Sequence, residues 1–260
     1  MSKKIKLLIL IIMSMSVYFI YNNTKDKTIN IISLGDSHAE GITSYGIKDY
    51  SYDDYLKLFL KDHKINTNLE KYSSKDMTID KMLFIIKNTN KIKKDLRDSH
   101  ILIINLGYND LLYKLISREK LDNSIYEINR DYNNLIKEIR KYYHNQIIVI
   151  GYSTNNIEDY YQVKGITMLN NVLKSNEEIT YIDTVSLLKD NKRYFSNPNS
   201  NYPSNLAYIE ISKKIIKKLE KIRNIWYINN AFNYYDEIFV MAEGEIIWKK
   251  IYIQKQKIAK

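Results

Sequence analysis

The sequence predicts an α/β fold of three layers, a central parallel sheet with helices on both faces, and three observations predict it. Short isoleucine-rich runs recur along the chain, helix-period patterns separate them, and two of the runs end abruptly in glycine-containing turns. Strands that alternate with helices pair in parallel through crossovers, which places helices on both faces of the sheet. At 260 residues the chain holds one such domain of about 200 residues with short additions, and its size permits a sizeable core.

In chain order, the first element is not part of the fold. Lys3, Lys4 and Lys6 precede an apolar run from Leu7 to Tyr21, the pattern of an export signal. No small-x-small site follows it and no cysteine exists for lipid attachment, so residues 1–21 read as an uncleaved signal-anchor; cleavage and secretion are the open alternative. A span of roughly 15 to 17 residues is at the short end of what crosses a bilayer. The lysines would stay on the cytoplasmic side, with the domain outside. Residues 22–28 are polar and aperiodic, a tether.

The globular part begins at residue 29 and is expected to run to 223. Strands are predicted at residues 29–34, 101–105, 147–150 and 179–182, with a weaker one at 66–72. Helices are predicted at 52–61, 79–91, 124–143, 161–173 and 204–223. The third is the clearest: Ile125, Ile128, Tyr132, Leu135, Ile136 and Ile139 share one 3.6-period face and belong to the core. Residues 224–260 form an extension whose two apolar runs, within 237–254, turn back around 242–245 as a β-hairpin.

Composition excludes several classes. Zero cysteines rule out disulfides and thiolate metal sites, and stability must come from the core. Forty basic against thirty acidic residues give a formal charge of +10. No basic helix or nucleic-acid motif accompanies it, so nucleic acid is discounted; a solvated lysine surface near anionic lipid or wall polymer fits better. The four histidines form no metal cluster, and no metal or cofactor is expected.

The chemistry-bearing residues lie where two strands end. The run from Ile31 stops at Gly35-Asp36-Ser37 with Gly41 after it, and the run from Ile101 stops at Gly107-Tyr108-Asn109-Asp110. Together they bring a serine hydroxyl and an amide to the same sheet edge. These blocks resemble those of the SGNH (GDSL-type) hydrolases, with coverage from about residue 29 to 222. The resemblance implies a flavodoxin-like α/β/α fold, no cofactor, and hydrolysis of acyl or acetyl esters with Ser37 as nucleophile. It also implies oxyanion donors from the Ser37 N–H, a backbone N–H of the second block and the Asn109 side chain. Acylated cell-envelope glycans or lipids are the partners expected for an exported member.

Two departures qualify it. The second block aligns Asp76 where glycine is usual, with Ser74 the alternative under a shifted alignment. The family's Asp-x-x-His-Pro before the last helix aligns with Asn199-Ser-Asn-Tyr202-Pro203, so the base has become Tyr202 and its acid partner Asn199. A serine hydroxyl needs a base within hydrogen-bond reach, and a phenol donates rather than removes a proton at neutral pH. His38 would diverge from Ser37 by about 100° on a helix, Glu40 is a weak base, and His63, His100 and His144 fall near element ends. Three readings stay open: an SGNH hydrolase with an unorthodox base, a degenerate member that binds such a ligand without turnover, and a wall-associated interaction protein that uses the C-terminal extension.

Overall fold

The computed structural model describes residues 28–117, 120–154, 160–189, 191–197, 200–219, 240–242 and 245–247. The expected anchor at 1–21 and most of the tether lie outside them, as does Asn199. Among the described residues no helix is long and apolar enough to cross a membrane.

Five parallel strands form one sheet: β1 (Ile29–Gly35), β2 (Thr67–Ser73), β3 (Ile101–Asn105), β4 (Ile147–Ile150) and β5 (Ile179–Ile182), in the order β2-β1-β3-β4-β5. All five match the runs read from the sequence to within one residue at each end. Their side chains alternate between two cores. Ile32, Leu34, Leu102, Ile104, Ile147 and Val149 pack against helices Ile79–Asn88, Asn90–Asp98, Tyr108–Ile116, Leu121–Arg140 and Tyr160–Lys174. Ile29, Ile31, Ile101, Ile103, Ile148 and Ile150 pack against helices Tyr52–Asp62, Thr184–Leu188 and Asn205–Leu219. A three-layer α/β/α sandwich results because β1, β3 and β4 are apolar on both faces.

The helix expected over 79–91 is two helices. Thr89, at φ −117° and ψ 116°, is extended, ends the first and caps the second. Asn88, Thr89 and Asn90 are weak helix formers in succession, and β-branched Thr89 loses rotamer freedom in a helix. Two more short strands, β6 (Val240–Ala242) and β7 (Glu245–Ile247), pair antiparallel, Ala242 opposite Glu245, as the expected hairpin.

The order reverses direction between β1 and β3. Connections from these two strands leave toward opposite faces, and the crevice left at their carboxyl ends is where sheets of this kind hold ligands. Gly35 lies level with Ser73 on one side and Asn105 on the other, so the residues that follow β1, β2 and β3 converge there.

One buried ionisable group lies under this edge. Ser33 Oγ donates to Asp53 Oδ2 at 2.5 Å, and Asp53 is fully buried at the start of helix Tyr52–Asp62. Burial pushes its carboxyl up to about 7, against the opposing pull of the Lys71 ammonium and the Ser33 hydrogen bond. A native pKa above the unfolded value of about 3.9 means that the native state holds a proton which the unfolded chain releases between about pH 4 and 7. Asp53 therefore lowers stability as pH rises through that window. Urea titrations of Asp53→Asn and the parent chain at pH 4 and pH 7.5 are expected to show the variant gaining relative stability at the higher pH, on the order of a few kcal/mol. An unchanged difference between the two pH values would mean that Asp53 is charged in the fold throughout.

Candidate functional site

Gly35 ends β1 and lets the chain fold tightly over the strand. A Cβ there would stand 2.2 Å from the Ala39 Cβ and 3.0 Å from the Asn105 carbonyl oxygen. Asp36 then caps the short helix Ser37–Glu40, its Oδ1 accepting the His38 N–H at 3.0 Å. Gly41, at φ +92°, closes that turn in the left-handed region that glycine alone adopts freely.

Ser37 thus stands at the first position of this turn, at the switch point. Its residue is 0% exposed, and its hydroxyl oxygen makes no hydrogen bond to any described residue. A serine nucleophile needs the opposite on both counts: a base at hydrogen-bond distance and a path for the substrate.

The third block forms the facing wall. Gly107, at φ +121°, precedes helix Tyr108–Ile116. Asn109 is buried, and its amide nitrogen donates to the Lys75 and Met77 carbonyls, each at 2.8 Å. The amide is oriented unambiguously by this pair, since the flipped group would set its oxygen against two carbonyl oxygens. Both hydrogens are therefore engaged in holding the second-block loop. Asp110 does the same work one residue on: its two oxygens each lie 3.2 Å from the Ile79 nitrogen at the start of helix Ile79–Asn88. Burial pushes the Asp110 carboxyl up to about 7 despite that backbone hydrogen bond.

Asp76 lies between the two carbonyls that Asn109 grips, so the structure brings the second and third blocks together. Its side chain is exposed, and its own carbonyl accepts the Lys81 ammonium at 2.8 Å. The alternative occupant, Ser74, donates its N–H to the Gly35 carbonyl at 3.3 Å, and the Met77 N–H goes to the Ser74 carbonyl at 3.0 Å. Ser74 N–H is thus a strut between the first two blocks.

Sequence reasoning missed the aromatic surround of His38. Its ring is buried and sits edge-on to Tyr152 and Tyr108, with centroids 5.2 and 5.5 Å away, and tilted against Tyr202 at 5.4 Å. Tyr108 and Tyr152 stack at 5.3 Å. The His38 Nδ1 lies 3.4 Å from Asp36 Oδ1, whose other oxygen accepts the Tyr152 hydroxyl at 2.6 Å. Burial, then the adjacent Asp36, holds the Tyr152 phenol well above its ordinary value. Tyr202, half-buried, is fixed by the Ser44 hydroxyl donating to its carbonyl at 2.7 Å. An imidazole is thus present at this edge, but it belongs to the first block and pairs with aspartate and tyrosines. Repeated tyrosines at strand and helix ends were the available signal; nothing in their spacing says that they meet.

His38, Tyr52, Asn105 and Thr184 line one cavity of about 10 Å³, and each has a buried polar atom without a hydrogen-bond partner among the described residues. That volume suits a single water with several polar neighbours. Among the described residues, no group of three or more histidine, aspartate or glutamate side chains is placed to hold a metal ion.

Neither a family model nor a curated protein matches the chain by sequence. Solved structures do match by shape. A lipase from goat rumen metagenome superposes with a TM-score of 0.62 at 19% identity, over 72% of this chain and 95% of the other. A member of the lipolytic G-D-S-L family from Veillonella parvula gives 0.56 at 16% identity, over 73% and 97%. The acetylxylan esterase Axe2 of Geobacillus stearothermophilus gives 0.54 at 14% identity, over 74% and 94%. What is shared at such identities is the fold.

Asn109→Ala would leave two loop carbonyls without their donor, each worth about 1–3 kcal/mol where buried. Thermal melting of this variant is expected to fall several degrees below the parent chain. An unchanged midpoint would show that the amide does not hold the second-block loop. A crystal structure is further expected to show one water within hydrogen-bond reach of at least three of the four polar groups around the small cavity, and direct contacts between those groups would count against it.

Proposed function

We propose, from this SGNH-hydrolase fold, that the chain is a binding domain for acylated cell-envelope glycan or lipid in which ester hydrolysis is silent. The observation that carries the reading is Ser37: its hydroxyl is buried, with no base at hydrogen-bond distance among the described residues. Asn109 supports it independently, because an amide whose two hydrogens already serve carbonyls is not aimed at a developing oxyanion. Tyr202 supports it too, since a phenol in the base's place offers a proton instead of taking one. The lysine-led apolar segment at residues 3–21 supports display on the outer side of a membrane. Nucleic acid has no part in this reading.

The competing reading, a serine esterase, draws on one observation: an imidazole already lies beside a carboxylate at the right sheet edge, His38 with Asp36. Losing the base of a serine triad lowers turnover by about 10⁴ to 10⁶, so an active enzyme would have to swing His38 onto Ser37.

Hydrolysis of p-nitrophenyl acetate by the purified full-length chain is expected to equal that of Ser37→Ala, with folding confirmed for both by circular dichroism. Turnover that disappears with Ser37 would overturn the proposal, and its further loss in His38→Ala would identify the base.

A further inference from the structure

A groove walled by the loop that follows the serine turn has the features that the sealed Ser37 lacks. It runs between the loop at residues 41–50 and residues 193–196 and 204–206, measures about 660 Å³, and is lined by Tyr45, Ile47, Asp49, Arg193, Asn205 and Leu206 among others. Small-molecule sites commonly fall between about 300 and 1,000 Å³.

Its two walls are braced against each other. The Ser44 hydroxyl donates to the Tyr202 carbonyl at 2.7 Å, the Asn205 amide to Asp49 Oδ2 at 2.7 Å, and the Tyr208 hydroxyl to the Ile42 carbonyl at 2.6 Å. A groove held this way is preformed, and binding would order little of it.

Two kinds of side chain on its walls stay largely solvent-facing, although the Tyr45 hydroxyl donates to the Ser196 carbonyl at 3.5 Å. Tyr45 and Ile47 are 68% and 65% exposed although both are largely apolar. Arg193 is exposed and forms no ion pair among the described residues, whereas Arg130 pairs with Asp131 and Arg140 with Glu178. A flat aromatic face offers stacking area to the C–H face of a sugar ring, and a guanidinium matches the paired oxygens of a carboxylate or phosphate.

We infer that this groove binds a saccharide or polyol that carries carboxylate or phosphate, with Arg193 on the anionic group and Tyr45 against the ring. The inference rests on the binding-domain reading and names the ligand class for it. The site is separate from Ser37, which does not line the groove.

Isothermal titration of the full-length chain in detergent distinguishes the possibilities, with three probes: oligogalacturonate, a glycerol phosphate oligomer and a neutral xylo-oligosaccharide. At least one anionic probe is expected to bind ten times more tightly than the neutral one, which also says whether carboxylate or phosphate is recognised. Arg193→Gln and Tyr45→Ala are each expected to weaken that binding at least tenfold. Lys174→Gln, which removes the same charge from an exposed residue before β5 at the opposite sheet edge, is expected to change it less than twofold. Equal losses from Arg193→Gln and Lys174→Gln would overturn the groove in favour of diffuse attraction to a basic surface. Glycan binding untouched by both groove variants would overturn the groove while leaving the binding-domain reading in place. Ser37-dependent ester turnover would overturn that reading itself.

Discussion

The site depends on one buried carboxylate. Asp36 is 0% exposed, and a carboxylate taken out of water needs partners for its lone pairs. It finds them in the His38 N–H at 3.0 Å and the Tyr152 hydroxyl at 2.6 Å, with the His38 Nδ1 3.4 Å away. The first fixes the turn that carries Ser37. The second reaches across from the end of β4, past β3, and locks the switch point to the middle of the sheet. Because Tyr152 is held there, Tyr108 stacks on it, and His38 is enclosed between those rings and Tyr202. Remove the carboxylate and a phenol and a backbone donor lose their acceptor in a buried site, which ties the placement of Tyr152 to Asp36.

The sheet was legible because four of its strands are short, isoleucine-rich runs; β2, with Asn68, Glu70 and Lys71, gave the weaker signal. Such runs have few alternatives in a chain whose helices show a clean 3.6 period. Helix Leu121–Arg140 was found because six apolar residues share its buried face, and its ends differ from expectation only by three residues each. Helix Asn90–Asp98 was not separated from its neighbour because it buries only Ile92 and Leu96 among seven polar residues, too sparse a stripe to mark its own start. Helix Tyr108–Ile116 lacks a sequence signal at its start because Gly107, Asn109 and Asp110 are weak helix formers gathered at its N-terminus.

At the site, sequence gave position without direction. That Ser37, Asn109 and Tyr202 would meet at one sheet edge followed from their places after β1, after β3 and before the last helix. Where a side chain sends its hydrogens did not. Asn109 could have pointed at the serine turn or into the second-block loop, and the choice is set by two carbonyls at 75 and 77 that no spacing rule reveals. His38 was expected to diverge from Ser37; it does not bond to it, yet it turns inward instead of toward solvent, because the tyrosines make an aromatic enclosure for the imidazole with Asp36 3.4 Å from its Nδ1.

The motif residues in this chain have structural work that accounts for their presence without catalysis. Gly35 permits the close approach of Ala39, Asp36 caps the turn, Asn109 holds the 75–77 loop, and Asp110 caps helix Ile79–Asn88. A scaffold of this kind survives loss of its chemistry, since the interactions that shape the crevice are distinct from those that would move a proton. The proposed silence rests on three separate layers: no base at the serine among the described residues, an amide committed to the 75–77 loop, and a buried hydroxyl. Effects on one reaction coordinate are not additive, so restoring a histidine at 202 would still leave a buried hydroxyl and an engaged amide. That is the physical sense in which this fold carries a site without fixing its function.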